Sequence, residues 1–124
     1  MKQMIPLAIL SLGGFVFSAS SAYADDALLA NRIGKLSAQL AASKKMDADV
    51  VDSLFVGVLM RLPTDAEREP TTKFFGRAAD RKTAIVDVLF ALVNSKEFIQ
   101  IAGLDGPDEA TAFLKKVVEA MKRN

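Results

Sequence analysis

From residue 27 onward, apolar residues recur at three- and four-residue intervals, and no stretch alternates apolar with polar residues convincingly enough to predict a strand. Leu29, Ile33, Leu36 and Leu40 place one apolar face on a first helix over 27–43, which the "KKMD" stretch ends. Val51, Leu54, Phe55, Val58 and Leu62 predict a second helix over 48–62, apolar almost all round and therefore expected to be the central, most buried one. Pro63 is expected to stop it. Thr64 and Glu67 then stand at capping-box spacing and open a third helix over 65–78. Pro70 falls inside that helix, beyond the free first turn, and is expected to bend it. Phe74 and Phe75 bring its second half onto the core. A fourth helix starts after Asp80, a capping residue, and sets Ile85, Val88, Leu89 and Leu92 at helical spacing.

The stretch "ALVNSKEFIQIAG" (residues 91–103) breaks this pattern. Asn94 suits a helix end and Ser95 the cap of a new turn over 96–99. Phe98 and Ile99 then fold back onto the core as a closing latch. Gly103 and Gly106 permit a further turn, and Pro107 fits a first helical position, where no N–H is needed. The last helix, 107–122, aligns Ala110, Phe113 or Leu114, Val117 and Met121. The fold class expected is all-α: a small bundle of about five helices.

The N-terminus reads differently. Lys2 precedes the apolar run "MIPLAILSLGGFVF", and Ala22 and Ala24 bracket Tyr23 just before Asp25 and Asp26. This is the pattern of a cleavable signal peptide over 1–24, leaving 25–124 as a single helical domain. The run is shorter than the roughly 20 apolar residues a membrane span needs, so no stable membrane insertion is expected after cleavage. Export to the periplasm or the extracellular space follows from the leader. Its removal takes one basic residue and no acidic one, leaving a net charge of zero. A neutral chain argues against nucleic acid as a partner.

Cysteine and histidine are both absent, which removes disulfides, thiolate chemistry, the commonest general base and the commonest zinc ligand. The serines have no histidine to activate them. No catalytic residue, cofactor or metal site is therefore expected. Asp47, Asp49 and Asp52 invite a calcium reading, but a calcium loop begun at Asp47 needs a glycine and a glutamate where the chain has Asp52 and Val58. Helix capping accounts better for them, and for Asp105, Asp108 and Glu109. Asp65, Glu67 and Glu69 read as a polar helix start, and Arg77, Arg81 and Lys82 as a solvated surface. Phe55, Phe74, Phe75, Phe90, Phe98 and Phe113 read as core. Arg61 stands out: it follows the apolar run and is expected to tie a turn through Glu97 or Glu67, or to meet an anionic ligand.

The segments "LFVGVLMRLPTDAE" and "RKTAIVDVLFALVNSKEF" resemble the C-terminal part of a planctomycete-type exported domain of unknown function. The shared cadence is Leu-x-Arg-x-Pro-Thr, an acidic helix start, then Asn-Ser-x-Glu-Phe. Here its positions are Leu59, Arg61, Pro63, Thr64, Asn94, Ser95, Glu97 and Phe98. The resemblance implies a helical exported module and no particular reaction. The expectation is a non-enzymatic interaction or accessory module docking on another exported protein, with Arg61, Glu97 and Phe98 as turn-structuring or interface residues. An exposed apolar patch is then expected on the first or last helix. The alternative is a small helical carrier of an apolar ligand.

Overall fold

The structure is a computed structural model and describes residues 26–124; the leader expected over 1–24 lies outside them. It is all-helical, a small bundle of six helices: α1 Asp26–Ala42, α2 Asp47–Leu59, α3 Asp65–Arg77, α4 Arg81–Val93, α5 Lys96–Ala102 and α6 Pro107–Lys122. Among the described residues there is no strand, and no helix is long and apolar enough to cross a membrane.

The helix α5 arises where a single turn was expected. Ser95 accepts the N–H of Phe98 (3.1 Å) and donates its hydroxyl to the Leu92 carbonyl (2.7 Å), so one side chain ends α4 and starts α5. The helix then runs on through Ile99 to Ala102. It closes at Gly103, whose φ of 71° is the left-handed conformation glycine adopts freely. The N–H groups of Gly103 and Leu104 reach back to Gln100 and Ile99, completing a Schellman closure. Gly106, by contrast, is in extended backbone that any residue could adopt.

The second helix is shorter than its apolar pattern suggests. It ends at Met60, not at Pro63, with Met60 at φ 62° and its N–H on the Val56 carbonyl. A left-handed conformation costs a side-chain-bearing residue about 1–2 kcal/mol. Proline disfavours helical geometry in the residue before it, so the chain must leave the helix by Leu62, and it does so at Met60. Leu62 consequently lies outside the helix and is exposed, while Pro63 is buried.

The third helix begins with the expected capping box, Thr64 accepting from the N–H of Glu67 and Glu67 from that of Thr64. It continues through Pro70 to Arg77 and buries Phe75, whose ring meets Phe74 edge-on. Asp80 caps α4 through the Thr83 N–H at 2.8 Å. Its carboxyl is held below the usual carboxylate range by the Thr83 backbone and hydroxyl donors.

The hub is α4 rather than α2. It packs against every other helix and buries Ala84, Ile85, Val88, Leu89, Leu92 and Val93, while α2 is as deeply buried, through Val50, Val51, Leu54, Phe55, Val58 and Leu59. Phe90 falls outside that stripe and is 54% exposed, so it is not the core residue its composition suggested. The core centres on Leu54, Ile85 and Leu89, with Phe98 and Phe113 in ring contact at 5.3 Å. The broadest helix–helix contact joins α1 to α6. There a side chain on Gly34 would meet Ala120 and lie 2.8 Å from the Val117 carbonyl oxygen. Gly34 is thus a close-approach residue.

Candidate functional site

The left-handed exit at Met60 turns the chain so that Arg61 faces the starts of α3 and α5 together. Its Nε donates to Glu97 Oε2 (2.8 Å) and its Nη2 to Glu97 Oε1 (2.9 Å). Nη1 and Nη2 donate to the two carboxylate oxygens of Glu67 at 2.8 and 3.0 Å. The remaining Nη1 hydrogen goes to the Leu62 carbonyl at 3.0 Å. A guanidinium has five N–H groups, and all five are used. Both carboxylates are gripped in bidentate fashion, the geometry that suits arginine and not lysine. The guanidinium carbon also lies 5.7 Å from the centre of the Phe55 ring. Arg61, expected to choose Glu97 or Glu67, holds both, and no N–H is left for an external anion.

The electrostatics follow from this geometry. Hydrogen bonds from Arg61, reinforced by the Thr64 N–H, lower the Glu67 carboxyl to about 2. Arg61 likewise lowers Glu97, against a smaller opposing push from Glu67 and desolvation. The two carboxylates raise Arg61 in turn. A lock of one guanidinium between two carboxylates fixes positions and keeps a net charge of one negative unit. It does not leave a carboxylate poised to exchange protons near neutrality.

Phe98 lies one residue beyond Glu97 and is 1% exposed, so α5 is held at its outer side by Arg61 and at its inner side by the core. Every position of the Leu-x-Arg-x-Pro-Thr and Asn-Ser-x-Glu-Phe pattern now has a structural task. Leu59, Pro63 and Phe98 are buried, Arg61 and Glu97 pair, Thr64 and Ser95 cap, and the Asn94 side chain donates to the Phe90 carbonyl at 2.8 Å.

Two further arginines do similar work that sequence reading missed. Arg68 on α3 donates to Asp52 on α2 at 2.8 Å, which raises the arginine. Arg81, expected on a solvated surface, reaches back to Asp47 (2.9 Å) and to the Ser43 carbonyl (3.1 Å), tying α4 to the start of α2. Two of the three aspartates of the calcium-like stretch are therefore claimed by arginines. Asp47 and Asp49 stand in the first turn of α2, as first-turn carboxylates should, and none of the three caps it through its side chain. Among the described residues no group of His, Cys, Asp and Glu is arranged to hold a metal. Glu109 accepts the Asp105 N–H at 2.9 Å, so that acidic turn binds its own backbone.

Two apolar surface features stand out beside these pairings. Val56 and Met60, one helical turn apart, and Leu62 just beyond are 48%, 78% and 59% exposed. This apolar corner lies at the end of α2. It is not on the last helix, where a docking patch was expected, and on α1 only Leu28 is comparable. The second feature is an open groove of about 390 Å³ between α2, α3 and α4. Phe55, Phe74, Val88 and Leu92 line it, with Glu67 and Asp87 also on its walls. The chain matches no protein-family model, no curated protein and no solved structure.

Proposed function

We propose that this chain is an exported, non-enzymatic helical accessory module that docks on another exported protein. The observation that carries the reading is the corner formed by Val56, Met60 and Leu62, three large apolar side chains left in water beside a turn that Arg61 holds in place. A rigid apolar projection of this kind suits a binding surface, because little order remains to be imposed on association. The absence of histidine and cysteine supports the non-enzymatic part, as does the engagement of both Glu67 and Glu97 by Arg61. The leader pattern over 1–24 supports export, and the likeness of 54–99 to an exported helical domain agrees with it.

The test is affinity capture from a native envelope extract, with Met60→Glu and Leu62→Glu variants run beside the parent. One stoichiometric protein, retained by the parent and lost by both variants while they remain folded, is the expected result. Equal capture by all three, or none by the parent, would overturn the reading. A second reading, carriage of an apolar ligand, draws on the groove lined by Phe55 and Phe74. It predicts a small apolar molecule in the mass spectrum of the natively purified protein.

A further inference from the structure

The groove between α2, α3 and α4 has a character that the apolar corner lacks: a hydrophobic floor beside an unbalanced charge. Phe55, Phe74, Val88 and Leu92 supply the floor. Of the two acidic residues lining it, Glu67 is held by Arg61, which it shares with Glu97. Asp87, exposed on α4, has no cationic or hydrogen-bonding partner among the described residues. The groove's volume of about 390 Å³ is enough to take one or two large side chains, and it opens to solvent. A wholly apolar occupant would leave Asp87 beside a dehydrated surface with nothing to balance it. An occupant with a positive charge next to an apolar group satisfies both parts.

Resting on the docking reading above, we infer that this groove receives a peptide segment of the partner in which a large apolar side chain stands beside a lysine or arginine, the apolar group on Phe55 and Phe74 and the cation on Asp87. The binding energy comes from the apolar floor and the selectivity from the carboxylate, as in peptide grooves generally. One surface ion pair changes affinity by up to about fivefold. Replacing attraction by repulsion should widen that ratio.

The experiment uses protein expressed from all 124 residues of the sequence and follows its backbone amide resonances during titration with two synthetic peptides. One is Gly-Lys-Leu-Phe-Gly and the other its Gly-Glu-Leu-Phe-Gly twin, both with blocked ends. The lysine peptide is expected to shift Phe74, Val88, Ala91 and Leu92 saturably and to bind about fivefold or more tightly than the glutamate peptide. Asp87→Lys should reverse that order, and Ala91→Trp, filling the groove from an exposed position, should abolish both. Equal binding of the two peptides, an unchanged order in Asp87→Lys, or no shift at the groove would overturn the inference. So would decylammonium ions saturating those residues while both peptides leave them unmoved, which would make the occupant a small cationic amphiphile. Failure here leaves the docking reading standing if capture still depends on Met60 and Leu62; loss of that dependence sinks the docking reading itself.

Discussion

Arg61 and Glu97 are 36 residues apart in the chain, yet their side chains meet in a two-pronged ion pair with N–O distances of 2.8 and 2.9 Å. The same guanidinium grips Glu67, so one arginine ties the end of α2 to the starts of α3 and α5. Removing it leaves two carboxylates facing each other with no cation between them. Arg61→Ala should therefore lower the thermal midpoint more than Glu97→Gln, which keeps the shape and removes one charge. Arg61→Lys should fall between the parent and Arg61→Ala, because an ammonium cannot make both bidentate pairs. Hydrogen exchange gives the local check. The amides of α5 should lose protection in Arg61→Ala before those of α1 and α6 do, and uniform loss would show that Arg61 acts on the whole bundle instead.

Stability should depend on acid in a defined direction. Folding lowers Glu67 from 4.5 to about 2 and lowers Glu97 as well, so the unfolded chain binds these protons more readily. Their contribution is fully present above a pH of about 4.5. It declines as pH falls below that value, and the Glu67 part is gone below about 2. Urea midpoints measured from neutrality down through this window should fall steadily. The double variant Glu67→Gln, Glu97→Gln should start lower and fall less steeply, and parallel curves for parent and variant would place the acid sensitivity elsewhere.

Phe98 supplies the buried half of the same attachment. It is 1% exposed and lies 5.3 Å from the Phe113 ring, so Phe98→Ala leaves a cavity between α5 and α6. Truncation of a buried phenylalanine costs about 3–5 kcal/mol. A small domain has about 5–15 kcal/mol in total, so the variant should be marginally folded. Chemical denaturation should show a large fall in midpoint with the slope preserved, and Phe98→Leu should lose distinctly less. A loss below about 1 kcal/mol for Phe98→Ala would mean that the site collapses around the gap.

Local signals carried much of this architecture. Thr64, Asp80 and Ser95 are each followed three residues later by the N–H their side chain accepts, and the apolar spacing of α4 and α6 matches what is buried. The end of α2 was misread because apolar content continues through Met60 and Leu62, and hydrophobicity cannot reveal a left-handed exit. The pairing of Arg61 is legible in outline, since Glu67 and Glu97 stand in the first turns of the two helices that the Arg61 turn meets. The ties of Arg68 to Asp52 and Arg81 to Asp47 were not, because they depend on how α2, α3 and α4 lie across one another. Nothing in the sequence sets Asp87 apart, because its place beside Phe55 and Phe74 on one groove comes from the packing of α2, α3 and α4.

Gly34 separates local propensity from packing most sharply. By propensity alone, Gly34→Ala should stabilise α1 by up to about 1 kcal/mol. In the folded bundle, however, the new methyl would collide with the Ala120 side chain and sit 2.8 Å from the Val117 backbone oxygen, which cannot turn aside. Overpacking of this kind costs about 1–3 kcal/mol, so the net effect should be destabilising. Gly76 on α3 is the control, because a side chain there would meet nothing within 4 Å. Gly76→Ala should then be neutral or stabilising by up to about 1 kcal/mol. Pairing Gly34→Ala with Ala120→Gly removes one of the two collisions and should recover part of the loss, leaving the share set by the Val117 carbonyl. Urea denaturation of these variants side by side decides the matter. A Gly34→Ala protein more stable than the parent would mean that α1 and α6 are not held at the close approach that this glycine permits.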